Sequence, residues 1–317
     1  MNDAPDQSSP VRIASLVPLA PIARTEFARR FIIEDAEPAS LGTLCPDVLL
    51  LSPAVRVDAA FLAGLPASVG ALATYSVGLD HIDLDAVRAR GLPMFNTPGI
   101  LSNAVADQAM LLLLAATRRM TEATALLREG RWTDLWSSHI LGVELAGRTL
   151  GIYGLGDIGR RVVRRATAFG MRLVYHNRRR AVDEAGATFA ATAEEFLASA
   201  DILLLAAPST GETRNFLNRE RLALARDGLV VVNIGRGDLI DDDALLEALE
   251  SGKVRAAGLD VFRNEPQIDP RFLARPDVVA TPHIGSATEE ARRGMATVLC
   301  DAIEAWRRGE RPANRIA

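Results

Sequence analysis

The chain has 317 residues, enough for two domains with separate cores. Hydrophobic residues make up 49% and charged residues 24%, an ordinary balance for a folded globular protein, and a formal charge of −4 excludes the basic footprint that nucleic-acid binding requires. The two cysteines, Cys45 and Cys300, have no metal or redox spacing and read as apolar packing thiols.

The opening MNDAPDQSSP is polar, lacks the apolar core of a signal peptide and reads as a frayed tail. The longest apolar stretch, Met110 to Thr117, is too short to span a bilayer, so a cytoplasmic protein is expected. Strands are predicted over 11–17, 47–51, 71–75 and 93–95, with helices over 24–30 and 84–90. This alternation predicts a parallel sheet with helices on both faces. The turn Asn96 to Gly99 breaks the pattern, and the helix over 105–118 is apolar on nearly every side. It must be buried, inside one domain or against a partner subunit. The first crossing between domains is placed near Leu101. A helix and a polar, Trp-bearing loop fill 121–141.

Residues 148–180, RTLGIYGLGDIGRRVVRRATAFGMRLVYHNRRR, then read as strand, glycine turn, helix and second strand. Gly154 permits the tight turn, Gly156 lets the backbone approach a pyrophosphate, and Gly159 lets helix and strand pack closely. The helix start points free N–H groups at the phosphates. Further strands are predicted over 201–206, 228–234, 255–260 and 277–280, with a helix over 241–250. A last helix over 288–308 returns to the first domain and closes the hinge. The expected fold class is α/β, with two doubly wound parallel-sheet (Rossmann-like) domains and a cleft between them. The substrate domain comprises 1–100 plus 286–317, and the dinucleotide-binding domain 101–285.

An NAD-preferring fold carries an acidic residue roughly 20 positions beyond the glycines, to accept from the ribose 2′-OH. This chain has His176, Asn177, Arg178, Arg179 and Arg180 there. No carboxylate repels a 2′-phosphate and guanidinium groups are present to grip one, so NADP(H) is predicted over NAD(H), with Arg178 the principal contact. Arg179 and Arg180 read equally as a solvated turn. Asp157, inside the glycine turn, puts a negative charge where phosphates are expected.

Three predicted strand ends carry Arg236, Asp260 to Pro266 with Glu265, and Thr281 to Ala287 with His283. The set suits hydride transfer to an α-keto acid, which needs a carboxylate clamp, a polarised carbonyl and one delivered proton. Arg236 can fork onto carboxylate and carbonyl oxygens. His283 can donate as imidazolium, since its unperturbed pKa is about 6.5. Glu265 favours that charged form and fixes the ring.

SVGLDHIDL (76–84), GLGDIG (154–159), NIGRGDLID (233–241), LDVFRNEP (259–266) and TPHIGSAT (281–288) together resemble the D-2-hydroxyacid dehydrogenases over nearly the whole chain. The resemblance implies that the Val77 and Gly78 N–H groups hold the substrate carboxylate together with Arg236. It assigns Gly154, Gly156, Asp157, Ile158 and Gly159 to the cofactor loop, with Asn177, Arg178, Ile234 and Asp260 also near the cofactor and Pro208 to Thr213 packed against it. It further implies a homodimer built through the cofactor domains and a cleft that closes on substrate. Glu265 stands where the formate dehydrogenases of the superfamily carry Gln, and the turn after Tyr175 is most similar to the glyoxylate and hydroxypyruvate reductase branch. The expected activity is NADPH-dependent reduction of glyoxylate, hydroxypyruvate or a similar acid to the D-2-hydroxy acid. The alternatives are the same machinery acting on 2-ketogluconate, an aryl pyruvate or phosphite, and a non-catalytic dinucleotide-sensing interaction protein.

Other conspicuous residues have blander readings. His81 is read as capping the helix after it. His139, with Trp132 and Trp136, reads either as a wall over the substrate or as a surface loop. Asp241, Asp242 and Asp243 read as N-terminal charge on a helix macrodipole. No cluster has zinc spacing, so no metal is expected.

Overall fold

The computed structural model describes residues 9–133, 135 and 139–317; most of the predicted frayed tail and Trp136 lie outside the described residues. The chain divides into two compact units, residues 1–101 with 287–317, and residues 102–286.

The first unit holds five parallel strands: β1 (Arg12–Ser15), β2 (Ile32–Asp35), β3 (Val48–Leu51), β4 (Ala71–Thr74) and β5 (Met94–Phe95), in the order β2-β1-β3-β4-β5. That is a doubly wound order. β3 and β4 are buried along their whole length, as strands covered on both faces must be, and they read as apolar runs, β4 closing on the buried Thr74. β2 escapes the apolar pattern because it is an edge strand with exposed ends and only two apolar residues. Helix Leu84–Arg90 is capped by Asp83, whose carboxylate accepts from the Asp85 and Ala86 N–H groups, and it stops at Gly91 in the left-handed region. The cap is therefore not His81, whose Nε2 instead lies 3.2 Å from Thr74 Oγ1. Helix Glu289–Arg307 starts on a Thr288 cap and packs against helix Pro21–Ala28. It buries Cys300, and that burial pushes the thiol up to about 12. Cys45 departs from the packing expectation: it is exposed, at the left-handed end of helix Leu41–Leu44.

The second unit holds seven parallel strands: β6 (Thr149–Tyr153), β7 (Arg172–His176), β8 (Thr188–Phe189), β9 (Ile202–Leu205), β10 (Leu229–Asn233), β11 (Val254–Leu259) and β12 (Val278–Ala280). Their order, β12-β11-β10-β9-β6-β7-β8, reverses between β6 and β9. In such a sheet ligands lie beyond the carboxyl ends at that switch point. Helix Ser102–Thr117 packs on β10 and β11, and a methyl group at Gly258 would stand 3.0 Å from Leu112 Cβ. Within the unit one stripe of the helix stays exposed, with Leu111 55% exposed beside Asn103 and Asp107. Asp241 caps helix Asp242–Glu250 as its charge suggests, while Asp242 has a second character: burial raises its carboxyl to about 6. Among the described residues no helix is long and apolar enough to cross a membrane, and no acidic, His or Cys group has metal-binding geometry.

Candidate active site

The glycine turn lies where β6 ends beside β9. Gly154 has φ +101°, and a Cβ there would come 2.6 Å from the Ala207 nitrogen, so only glycine lets the two strand ends meet. A Cβ at Gly159 would come 2.8 Å from the Gly154 carbonyl oxygen, which sets how closely helix Asp157–Ala168 seats on the turn. Gly156 is different: its Cβ position has no atom within 4 Å. That bare approach to a helix start suits a pyrophosphate. Ile158 follows in the first turn of the same helix. Asp157 is explained locally. Burial works to raise its carboxyl, but bonds to Ser102 and Arg161 and the Arg160 charge outweigh this and hold it below the usual range. The Arg161 guanidinium, 3.4 Å away, offsets its charge and also reaches Asn103 at 2.8 Å.

At the end of β7, Asn177 braces the glycine turn: its Oδ1 accepts from the Leu155 N–H at 2.7 Å. The side-chain oxygen of Asn177, a residue that the resemblance places near the cofactor, is thus engaged with the loop itself. Arg178 is exposed and 3.3 Å from Glu212, whereas Arg180 pairs with Glu184 on the turn. Glu212 belongs to the loop after β9, where the Thr213 hydroxyl donates to the Pro208 carbonyl at 2.7 Å and closes the turn. Ile234, buried at the end of β10, donates its N–H to the Leu205 carbonyl.

The three residues singled out for chemistry all lie at carboxyl ends of neighbouring strands. His283 Nδ1–H donates to Glu265 Oε2 at 2.6 Å, and Glu265 Oε1 accepts the Phe262 N–H at 2.8 Å. Burial works to raise the Glu265 carboxyl, but the bond to His283, the Phe262 amide and the His283 and Arg236 charges outweigh it and hold the group below the ordinary range. Arg236 therefore acts on the same pair; its Nη1 also donates to the Gly235 carbonyl at 2.8 Å. With Nδ1 committed to Glu265, Nε2 of His283 is the nitrogen left to deliver a proton outward. His283 (φ +52°) and Asn264 (φ +56°) both occupy the left-handed region, which costs a non-glycine residue about 1–3 kcal/mol and marks sites held by their surroundings.

Those surroundings include residues that sequence reasoning missed or assigned differently. Asp260 is 2% exposed and accepts from Thr281 Oγ1 (2.7 Å), Ile284 N–H (2.9 Å), Gly285 N–H (2.8 Å) and Gln108 Nε2 (3.4 Å). Both its oxygens grip the loop that carries His283, a role beside the proximity to nicotinamide that the resemblance implies. Asn233, wholly buried, holds the Arg236 loop: Nδ2 donates to the Arg236 carbonyl (2.8 Å) and Oδ1 accepts the Gly235 N–H (3.1 Å). Gln108 was the available signal, a long polar side chain directly ahead of the apolar run 109–116.

In the first unit, the Ser76 hydroxyl donates to the Gly78 carbonyl at 2.8 Å and sits 2.8 Å from Thr74 Oγ1, which shapes the Val77–Gly78 loop. Among the described residues, neither the Val77 nor the Gly78 N–H donates to a protein acceptor. Two adjacent N–H groups without acceptors fit an anion. His139 and Trp132 are exposed, and the His139 carbonyl accepts from Arg119; Trp136, the third member of that predicted group, lies outside the described residues.

Comparison with known proteins finds relatives of the same fold. Residues 110–285 match the family model described as D-isomer specific 2-hydroxyacid dehydrogenase, NAD binding domain. A glyoxylate reductase of Pyrococcus furiosus is 41% identical over 277 residues, spanning 85% of this chain and 82% of the relative. A glycerate dehydrogenase of Hyphomicrobium methylovorum is 39% identical over 263 residues, 82% of each chain. The solved structure of an NADPH-dependent glyoxylate/hydroxypyruvate reductase from Sinorhizobium meliloti, in complex with NADP and malonate, aligns with a TM-score of 0.87 at 30% identity, covering 98% of this chain and 97% of that one. With a two-sheet α/β fold, a dinucleotide turn at the switch point and a His–Glu–Arg group at the strand ends, this chain belongs to the D-isomer specific 2-hydroxyacid dehydrogenase family.

Proposed function

We propose that the enzyme reduces a small 2-keto acid, glyoxylate or hydroxypyruvate, to the D-2-hydroxy acid with NADPH. The observation that carries this is the 2.6 Å His283–Glu265 pair with the Arg236 charge acting on it. When bound, the reduced nicotinamide supplies the hydride. The Val77 and Gly78 N–H groups and Arg236 bind the acid, and Arg236 also polarises the carbonyl. His283 Nε2–H delivers the proton to the carbonyl oxygen, while Glu265 keeps the imidazolium charged and its ring oriented. Reduction of hydroxypyruvate followed by chiral separation of the glycerate tests the acid and its hand: the D-enantiomer is expected, and L-glycerate or no product would overturn the reading.

Arg178 supports NADPH as the preferred cofactor, since it stands just past the end of β7 and residues 176–182 include no carboxylate. Its partner Glu212 must yield when a 2′-phosphate binds. Arg178→Ala is expected to raise KM for NADPH about tenfold, the loss of roughly 1.4 kcal/mol of charge-assisted bonding, and to leave KM for NADH within about twofold. Equal changes for both cofactors in steady-state kinetics would remove Arg178 from the 2′-phosphate site.

The homodimer belongs to the same proposal. Among the described residues of the second unit, six of the eleven exposed large apolar side chains fall in one stretch of chain: Leu111, Met120, Leu127, Trp132, Leu135 and Leu141. Such surface marks a protein contact. Sedimentation is expected to give twice the 34.1 kDa chain mass, and Leu111→Asp with Leu135→Asp to give the single chain; a monomeric parent would refute the dimer.

A further inference from the structure

Two residues before Glu265 stands Arg263, a side chain with no part in the chemistry above. Its Nε–H donates to the Ile240 carbonyl at 2.9 Å, and its Nη2 donates to the Asp238 carbonyl at 3.3 Å, to the same Ile240 oxygen and to Asn215 Oδ1. Asp242 Oδ1 lies 3.6 Å from its Nε, and the side chain is only 30% exposed. Three of these four hydrogen bonds go to backbone carbonyls, so this is not the ordinary surface ion pair that contributes little.

The carbonyls belong to the turn that follows Arg236. That turn, Gly237–Leu239, lies directly on the Glu265 segment: a methyl group at Gly237 would overlap the Phe262 carbonyl carbon. The same turn is tied to the loop after β9. Asn215, at φ +52°, donates its N–H to the Asp238 carbonyl at 2.8 Å, and Asp238 Oδ2 accepts from Ser209 Oγ at 2.6 Å with Arg214 3.4 Å away. One guanidinium thus joins the segment bearing Glu265, the turn bearing Arg236 and the loop after β9.

We infer that Arg263 is a positioning residue: by fastening 262–265 onto 237–240 it fixes the Glu265 carboxylate against His283 and within reach of the Arg236 charge. The planar fork matters because two of its N–H groups converge on one carbonyl while a third reaches elsewhere, a pattern an ammonium cannot copy. Without it the strained Asn264 is free to relax, and the carboxylate moves with it.

The inference rests on the roles proposed for Arg236, Glu265 and His283, and its test has one reading that does not depend on turnover. In the full-length protein the His283 imidazole, one of four histidines, is titrated by NMR in the parent, Arg263→Met and Arg263→Lys. Its hydrogen-bond partner is Glu265, so loosening Glu265 is expected to move the His283 midpoint to lower pH by about half a pH unit or more in Arg263→Met, with Arg263→Lys in between. In kinetics, kcat for glyoxylate is expected to fall about tenfold, the alkaline limb of kcat/KM to move the same way as the midpoint, and NADPH affinity to stay within about threefold. Ethylguanidinium added to Arg263→Ala is expected to restore part of the midpoint shift. A folded Arg263→Met with an unmoved His283 midpoint overturns the positioning role. An unreactive parent whose midpoint still moves overturns the proposed reaction and leaves the positioning of Glu265 standing.

Discussion

His283→Gln is expected to lower kcat for 2-keto acid reduction by about two to four orders of magnitude, the range that removal of a general acid produces. Glutamine keeps much of the volume and offers an amide N–H toward Glu265, but it carries no proton that transfers near neutral pH. Cofactor binding is expected to persist, because the glycine turn lies on a different strand end, and dinucleotide affinity measured by fluorescence checks this. A variant retaining most of its turnover would show that the proton comes from elsewhere. The pH dependence follows from the same pair. Glu265 is held below the usual carboxylate range, so its negative charge persists through the neutral region and is lost only when pH falls through its lowered value. Glu265→Gln removes the charge that favours the imidazolium. The alkaline limb of kcat/KM for reduction is therefore expected to shift to lower pH, and a profile unchanged in position would contradict the role given to Glu265.

Asp260→Ala is expected to cost about 2–4 kcal/mol of stability and most of the activity. The carboxylate, 2% exposed, accepts from four donors, three on Oδ1 and one on Oδ2. Removing it strands the Ile284 and Gly285 N–H groups, the latter buried, and each buried donor left without an acceptor costs about 1–3 kcal/mol. The loop that loses its anchor is the one holding His283 at positive φ, so catalysis is expected to fall with stability. Asp260→Asn is the sharper variant: its shape fits, but one of its two positions turns from acceptor to donor and opposes a donor already there. An intermediate loss is expected. Urea unfolding gives the stability, and hydrogen exchange at Ile284 and Gly285 shows whether the loop has opened. Unchanged protection in Asp260→Ala would mean that the loop is held by other contacts.

Much of the second unit is legible in the chain because its central strands are covered on both faces. β6, β9 and β10 are buried throughout and appear as apolar runs, marked off by Gly154 after β6, Asp201 before β9, and Gly228 and Asn233 at the ends of β10. The short edge strands are not legible: Ile32–Asp35 and Thr188–Phe189 meet solvent along one side and lack the apolar length that marks a strand. His283, Glu265 and Arg236 were visible because each follows a predicted strand, which brings residues far apart in sequence to one edge of the sheet. Asp260, Asn233 and Arg263 were less so, since their work is done through backbone N–H and carbonyl groups of loops whose paths no residue pattern specifies. His81 shows the limit from the other side. A polar residue ahead of a helix looks like a cap, yet Asp83, two residues nearer, has the shorter side chain and takes the position.

The most direct measurement is the initial rate of NADPH oxidation, followed by its absorbance, with glyoxylate, hydroxypyruvate, 2-ketogluconate and phenylpyruvate, each repeated with NADH. Rapid turnover of glyoxylate or hydroxypyruvate that favours NADPH is the expected result. Turnover favouring NADH would leave the His283–Glu265 chemistry in place and contradict the role of Arg178. No turnover with any of these acids, in protein that binds NADPH tightly, would contradict the proposed reduction itself.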